Sequence, residues 1–192
     1  MKNIGVVLLA AGRSERFGSD KLLADFAGKP MLCRALEVMG ALGAGRTCVV
    51  AGSQAAADLA GTYGFGVIRN SQPELGQSHS IRLGVQAMDG MDTVVLIVAD
   101  QPRLTAASVQ RLLALFCASD KGIACLRDST HRGNPAVFSA RYLPDLLALS
   151  GDRGAKGILR AYDDDLLVVD CLEENELCDA DTPQALNELI HQ

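Results

Sequence analysis

Apolar runs of strand length alternate with helical patterns through the first half of the chain. The runs over residues 4–10, 47–51 and 93–99 are apolar at nearly every position, which is typical of strands covered on both faces of a parallel sheet. A shorter run over residues 66–69 indicates a further strand. This alternation predicts an α/β fold with three layers, doubly wound around a mostly parallel sheet.

Residues that favour the first turn of a helix stand at the starts of the helical patterns. They are Pro30, Ser53, Thr105 and the pair Thr182 and Pro183. A further helix is expected to be capped by Ser78 or Ser80 and to run through Met88. In such sheets ligands bind beyond the carboxyl ends of the strands, which indicates the loops after Ala10, Arg69, Ala99 and Leu126 as candidate binding loops.

Two strand patterns follow one another in the second half of the chain without a helix between them. They cover residues 122–126 and 135–138. Because a short connection joins antiparallel neighbours, this pair predicts an antiparallel strand within the otherwise parallel sheet. No long linker, repeat or low-complexity segment divides the sequence, so residues 1–192 are expected to form a single domain.

The composition is that of an ordinary globular chain, with 48% hydrophobic and 21% charged residues among 192. The formal net charge of −5 argues against a protein that coats nucleic acid, because such a protein needs a basic face. The apolar runs fall far short of the roughly 20 residues of a spanning helix, so a membrane is not an expected partner either. The six cysteines form no C-x-x-C pair and are expected to be free thiols in a reducing cytoplasm.

The loop after the first strand combines small residues with three cations. It reads LLAAGRSERFGSDK over residues 8–21, and its cations are Arg13, Arg16 and Lys21. Small residues let backbone N–H groups approach an anion closely, and the cations can neutralise phosphates. The loop has neither the P-loop nor the dinucleotide-binding spacing. It is therefore interpreted as an anion-binding loop, with a solvated basic turn as the alternative.

Two acidic motifs lie far from this loop in the sequence. VADQP places Asp100 at the end of the strongest strand pattern, and CDADTP places Asp179 and Asp181 on one face of an extended segment. A few carboxylates together with phosphate oxygens are the ligands that Mg²⁺ prefers. The alternatives are a turn residue for Asp100 and an ordinary helix cap for the later pair.

Three further motifs contain polar residues at turns or helix starts. They are GQSHSIRLG over residues 76–84, RGNPAVF over 132–138 and SGDRGAK over 150–156. A helix N-terminus is a ready site for an anion or a ribose. Each motif by itself is also an ordinary turn or cap.

Together and in this order, the motifs resemble the MobA-like nucleotidyltransferases, and within them the molybdenum cofactor cytidylyltransferase branch. The resemblance rests on L-A-A-G-x-S-x-R-F-G-x-x-K, VADQP and D-[small]-D-T-P, and it extends from Gly5 to about Leu189. The chain has L-A-A-G like the CMP-transferring branch, where the guanylyl-transferring branch has L-A-G-G. The resemblance implies a Rossmann-like fold of the nucleotide-diphospho-sugar transferase type.

The resemblance also implies a role for individual residues. Those expected to bind the nucleotide are Leu9, Ala10, Ala11, Gly12, Arg13, Arg16, Lys21, Ser80 and Asp100. Those expected to line the acceptor side are Gln77, Ser78, Asn134, Asp152 and Arg153. Mg²⁺, or alternatively Mn²⁺, would be held by Asp100 with Asp181, and Asp179 is the second choice. Arg16, Lys21 and Asp100 are the expected catalytic residues.

The implied reaction is transfer of CMP from CTP to the phosphate of molybdopterin, with release of pyrophosphate. A phosphate monoester is largely dianionic near neutral pH, so the reaction needs no general base. The alternatives are the same chemistry with GTP, ATP or another small phosphate acceptor, and a non-catalytic carrier or chaperone of the finished cofactor. A molybdoenzyme or chaperone that receives the product is a further implied partner.

Overall fold

The continuous apolar runs form the centre of a seven-stranded sheet in the computed structural model, which describes residues 3–12, 14, 17–129 and 131–191. Its strands are β1 (Ile4–Ala10), β4 (Arg46–Ala51), β5 (Gly66–Arg69), β6 (Thr93–Val98), β7 (Ile123–Arg127), β8 (Arg132–Ser139) and β9 (Leu166–Asp170). Two short strands, β2 (Asp25–Phe26) and β3 (Lys29–Pro30), pair antiparallel in a separate sheet. The helices are α1 (Met31–Ala41), α2 (Gln54–Thr62), α3 (Gln77–Gln86), α4 (Ala106–Ala118), α5 (Leu143–Leu147), α6 (Lys156–Ala161) and α7 (Pro183–His191).

The strand order across the large sheet is β5-β4-β1-β6-β8-β7-β9. Strand β8 runs antiparallel to both of its neighbours, and the other neighbouring strands run parallel. The predicted mostly parallel sheet with an antiparallel strand is therefore confirmed. Strand β8 begins at Arg132, three residues before the predicted start, because its pairing with β7 continues to the end of that strand.

Alternating residues of β1 point into two separate hydrophobic cores. Val6 and Leu8 pack with α1, α2, α4 and α7, whereas Val7 and Leu9 pack with α3, α5 and α6. Every residue of β6 is buried, as expected for a strand covered on both faces. Helices thus cover both faces of the sheet and complete the three predicted layers. Within the described ranges, no helix is long and apolar enough to cross a membrane.

Most of the predicted helix caps are confirmed. The side chains of Ser53, Thr105 and Thr182 each accept a hydrogen bond from the backbone N–H three residues later, at 3.1, 3.2 and 3.1 Å. Capping satisfies an N–H group that has no partner within the helix. These three residues therefore fix where α2, α4 and α7 begin.

The predicted cap of α3 is wrong. This helix begins after Gly76, ends at Gln86 before Met88, and buries Ser78 and Ser80 inside its first turn. Gly76 has φ +81°, and a Cβ there would lie only 2.6 Å from the Gly151 carbonyl oxygen. The Ser78 N–H group donates to that same oxygen at 3.4 Å, so a neighbouring loop takes the place of a side-chain cap.

Candidate active site

A cleft of about 680 Å³ opens beyond the carboxyl ends of β1 and β6. Its size is that of an ordinary small-molecule site. The predicted site residues that line it are Leu9, Ala11, Gly12, Lys21, Gln77, Ser80, Asp100, Asp152, Asp179 and Asp181. Five segments of the sequence therefore meet in one cavity, and the first loop and both acidic motifs are among them, as the motifs predicted.

Lys21 lies at the centre of the polar wall of this cleft. Its buried ammonium nitrogen lies 2.9 Å from Oδ2 of Asp100 and 2.8 Å from Oδ1 of Asp181. Burial alone would lower the pKa of Lys21, but the two carboxylates outweigh it and the pKa is raised. The side chain therefore carries a full positive charge at neutral pH.

The backbone around Lys21 is fixed by local polar contacts. Asp20 caps a single turn of 3₁₀ helix over residues 21–23 by accepting from the Leu22 N–H group at 3.2 Å. The Lys21 N–H group donates to the Ser14 hydroxyl at 3.3 Å. The buried side chain of Leu22 holds the same turn against the core. The lysine is therefore presented to the cleft from an ordered turn.

Asp179 completes a group of three carboxylates with Asp100 and Asp181. Asp179 is exposed to solvent, but the protein packed around it removes part of its hydration. This loss of hydration and the charge of Asp100 raise the pKa of Asp179. The Gln101 amide partly offsets this by donating to Asp179 Oδ1 at 3.1 Å. The three side chains line one cleft and offer carboxylate oxygens, the donor type that Mg²⁺ or Mn²⁺ takes, so their chemistry fits a divalent cation.

The loop that carries Asp179 and Asp181 is tied to the end of β6. The Ala180 N–H group donates to the Asp100 carbonyl oxygen at 2.9 Å, and the Gln101 amide also donates to the Leu177 carbonyl oxygen at 3.1 Å. Gln101 thus holds the acidic loop against the strand end. The sequence analysis did not identify this role, although Gln101 stands inside the VADQP motif.

A fully buried carboxylate anchors the same loop to α4. Glu176 accepts hydrogen bonds from the N–H and hydroxyl groups of Thr105, both at 2.9 Å, from the Ser108 hydroxyl at 2.6 Å and from the Glu173 N–H group at 2.8 Å. Hydrogen bonds to a charged acceptor are stronger than neutral ones. The sequence contains no signal for this anchor to α4, because Thr105 and Ser108 lie about 70 positions earlier.

The small residues of the first loop reach two cavities. Ala11 and Gly12 line the cleft, and they also line an adjoining cavity of about 490 Å³ together with Ala10. A Cβ on Gly52 would lie 3.0 Å from the Ala11 Cα, so the loop passes close to the end of β4. The predicted contacts of Arg13 and Arg16 lie outside the described residues.

The two serines of α3 are not equivalent. Ser80 lines the cleft, and its hydroxyl oxygen accepts from the buried Asn70 amide at 3.0 Å. Ser78 is fully buried and is not among the described residues that line the cleft. The predicted contact between Ser78 and an acceptor is therefore wrong for its side chain, because helix α3 turns that side chain toward the protein interior.

Only some of the residues predicted to bind the acceptor line the cleft. Gln77 and Asp152 line the cleft, and the Gln77 N–H group donates to Asp152 Oδ1 at 3.4 Å. Asn134 on β8 and the exposed Arg153 are not part of the cleft wall that the described residues form. The sequence analysis missed Lys156, whose positive charge acts to lower the pKa of Asp179.

The sequence profile of the MobA-like NTP transferase domain matches residues 6–166 of the chain. The chain belongs to the MobA-like NTP transferase family. The motifs in the sequence had indicated this family. The matched range contains Lys21 and Asp100 but ends before Asp179 and Asp181, so the roles of the later carboxylates rest on the geometry of the cleft.

The chain is similar over nearly its full length to two curated proteins. It is 29% identical to the purine catabolism protein PucB of Bacillus subtilis, covering 93% of this chain and 91% of PucB. It is also 29% identical to the nicotine blue oxidoreductase of Paenarthrobacter nicotinovorans, covering 96% and 95%. The bifunctional protein GlmU of Trichlorobacter lovleyi is 36% identical over 62% of this chain, which spans only 27% of the GlmU length.

Solved structures share the whole architecture. Rv0371c from Mycobacterium tuberculosis superposes with a TM-score of 0.83 at 25% identity, covering 100% of this chain and 98% of that one. The manganese complex of Rv0371c has a TM-score of 0.79 at 24% identity, covering 100% and 99%. CMP:2-keto-3-deoxy-manno-octonic acid synthetase, complexed with CTP, shares the fold with a TM-score of 0.74 at 15% identity, covering 98% and 97%.

Proposed function

We propose that the protein transfers CMP from CTP to the terminal phosphate of a molybdopterin-type acceptor and releases pyrophosphate. One observation carries this proposal: within one cleft, the Lys21 ammonium group lies 2.9 Å from the Asp100 carboxylate and 2.8 Å from the Asp181 carboxylate. A triphosphate that binds with a divalent cation needs this combination of a cation for phosphate oxygens and oxygen ligands for the metal. The L-A-A-G sequence over residues 9–12 supports CTP as the nucleotide.

The first loop is assigned to the triphosphate. The backbone of Ala11 and Gly12 lines the cleft without bulky side chains, so its N–H groups can approach phosphate oxygens. The Lys21 ammonium group would stabilise the negative charge that develops on the departing pyrophosphate. Arg16 is proposed to share this role, and Arg13 to bind the nucleotide.

Asp100 and Asp181 are assigned to Mg²⁺ or Mn²⁺, with Asp179 as the alternative second ligand. Loss of hydration and then the negative charges of Asp100 and Asp181 raise the pKa of Asp179, and a divalent cation would offset those charges. The manganese complex of Rv0371c, which has the same fold, supports the choice of a divalent ion. When bound, the ion would bridge phosphate oxygens and offset their charge.

Ser80 is assigned to the base and ribose. Its oxygen already accepts the Asn70 amide hydrogen at 3.0 Å, so its own hydroxyl hydrogen can be donated into the cleft. A cytosine ring presents acceptors on the edge that such a donor reads. Leu9 supplies an apolar surface in the same wall.

The acceptor is assigned to the side of the cleft that Gln77 and Asp152 line, with Asn134 and Arg153 as further proposed contacts. Its phosphate is already largely dianionic near neutral pH and can attack without a general base. The protein then needs only to hold the reacting groups in line and to offset their charge. The product is proposed to pass to a molybdoenzyme or insertion chaperone in the cytoplasm, a reducing compartment that suits six free thiols.

The deciding experiment incubates the protein and Mg²⁺ with CTP, GTP, ATP or UTP and Mo-molybdopterin. Mass analysis of the product and a pyrophosphate assay are the readouts. We expect CMP-modified molybdopterin with CTP, and its loss in Asp100→Asn but not in Asp164→Asn, an exposed turn control. Turnover with only another nucleotide or acceptor would overturn the substrate assignment. Cofactor binding without turnover would indicate a carrier.

A further inference from the structure

A second set of metal-ligand side chains lies outside the cleft, between the β7–β8 turn and the loop before α7. It consists of Asp128 and His131 in the turn and Cys178 in the loop, and their ligand atoms all lie within 4.8 Å of one another. We propose that these three residues bind a transition-metal cation of the zinc class. This site is separate from the proposed Mg²⁺ site, and its existence does not depend on the reaction that the cleft performs.

The donor types select the class of metal. A thiolate and an imidazole are borderline-to-soft ligands that Zn²⁺ and Co²⁺ accept readily, whereas Mg²⁺ takes oxygen ligands. One carboxylate and one thiolate would balance the charge of a divalent ion, with the imidazole neutral. The residues described in the cleft wall instead include five carboxylates, those of Glu74, Asp100, Asp152, Asp179 and Asp181, and no sulfur atom. The protein thus offers a hard site and a softer site that prefer different ions.

The turn arranges two of the three donors before any ion binds. The Asp128 N–H group donates to the His131 carbonyl oxygen at 2.9 Å, and the His131 N–H group donates to Asp128 Oδ1 at 2.6 Å. The His131 Nδ1 atom lies 3.5 Å from the same Oδ1. The Asp128 side chain is 4% exposed and that of His131 is 53% exposed. The carboxylate is therefore fixed, while the imidazole is open to solvent and can rotate toward an entering ion.

The third donor is what distinguishes this arrangement from an ordinary turn. Cys178 approaches from a separate segment, where its N–H group donates to the Asn175 carbonyl oxygen at 3.3 Å. Tetrahedral Zn²⁺ has bonds of about 2.0–2.3 Å, which set its ligand atoms about 3.2–3.8 Å apart. Separations within 4.8 Å exceed this range by about 1.6 Å at most, and the half-exposed His131 ring can rotate toward the ion. A fourth position would stay open to water or another ligand.

Occupation of this site would have a structural effect on the cleft. Cys178 directly precedes Asp179 and stands three residues before Asp181. An ion bound to Cys178 would join the β7–β8 turn to the loop that carries both carboxylates. Binding would also release the Cys178 proton to solvent, so affinity is expected to rise with pH.

The test titrates metal-free protein with Co²⁺ in the presence of excess Mg²⁺ and follows the thiolate-to-cobalt absorption, with Zn²⁺ as competitor. We expect one equivalent of Co²⁺ with this absorption, displaced by Zn²⁺. Cys178→Ser should abolish the absorption, and His131→Ala should weaken binding by at least ~100-fold, the upper end of the loss seen for second-shell changes. The control is Cys117→Ser, which removes an exposed thiol on α4 and should bind like the wild type.

Two outcomes would overturn the proposal. One is the absence of a thiolate-to-cobalt absorption in the wild type. The other is wild-type affinity in His131→Ala, whose half-exposed side chain can be removed without affecting the folded core. Asp181→Asn distinguishes the two metal sites, because it changes the proposed Mg²⁺ site and should leave the cobalt absorption intact.

Discussion

Lys21 and Asp181 stand 160 positions apart in the sequence, yet their side chains form an ion pair at 2.8 Å. The pair joins the loop after the first strand to the segment that precedes the last helix. Asp100, at the end of the central strand β6, contacts the same ammonium group. Segments near opposite ends of the sequence therefore contribute to one cluster of charged side chains in the cleft.

Lys21→Met should lower the rate of pyrophosphate release by about 10²–10³, the cost of losing one charge-stabilising contact in a transition state. Binding of Mn²⁺ should be unchanged or tighter, because a cation that competes for Asp100 and Asp181 has been removed. Lys29→Met is the control, since that lysine is partly exposed and pairs with Glu37. Weaker Mn²⁺ binding in Lys21→Met would contradict this account.

Asp179→Asn should make the metal-free protein slightly more stable at pH 7. A carboxyl whose folded pKa exceeds its ordinary value of 3.8 favours the protonated form, so the ionised group lowers stability above the raised pKa and has no effect well below pH 3.8. The gain should stay within about 1 kcal/mol, as for exposed charges, and should vanish near pH 3. Chemical denaturation at both pH values measures it; a gain that persists at pH 3 would exclude this electrostatic cause.

Glu176→Ala should destabilise the protein by about 3 kcal/mol or more, because several donors lose a buried charged acceptor. The acidic loop should also loosen, which raises the Mg²⁺ concentration needed for half-maximal activity. Glu174→Ala, an exposed change in the same loop, should alter neither property. Denaturation curves and Mg²⁺ titrations of the two variants provide the comparison, and equal behaviour would refute the anchoring role.

Gly76→Ala should destabilise the protein by about 1–3 kcal/mol from backbone strain alone, because φ +81° with ψ −178° is a glycine conformation. The added Cβ would also push against the Gly151 carbonyl oxygen and displace Gln77 and Asp152. Gly61→Ala in α2 meets open space and should stabilise by up to about 1 kcal/mol. Thermal unfolding of both variants tests the contrast, and a Gly76→Ala variant as stable as the wild type would contradict the strained conformation.

The sheet could be predicted from the sequence because its signals are local. Continuous apolar runs marked β1 and β6, and β5 was predicted with the bounds that the structure shows. Short side chains followed by helical patterns located the caps at Ser53 and Thr105. The predicted start of α3 was wrong because Gly76, in contact with Gly151, sets where the helix begins. The local sequence pattern contains no information about that contact.

The cleft could be predicted only in part. Motifs identified Lys21, Asp100 and Asp181, and the resemblance to a known family predicted that they bind the same metal-bound nucleotide. Gln101 and Glu176 were missed because their importance comes from partners that only the folded chain brings close. The different positions of Ser78, which is buried, and Ser80, which lines the cleft, were also not predictable. They depend on how α3 packs against the rest of the protein.

The Lys21 ammonium group pairs with Asp100 and Asp181, so a metal ion that binds these carboxylates must displace it. A free divalent ion would have to expel Lys21 without offering it a new anion, whereas an ion that arrives with a triphosphate supplies one at the same moment. Mn²⁺ should accordingly bind more tightly with a non-hydrolysable CTP analogue present than alone, and equal affinity would speak against such coupled arrival. The lysine would thus keep the ligand-free protein from binding free Mg²⁺.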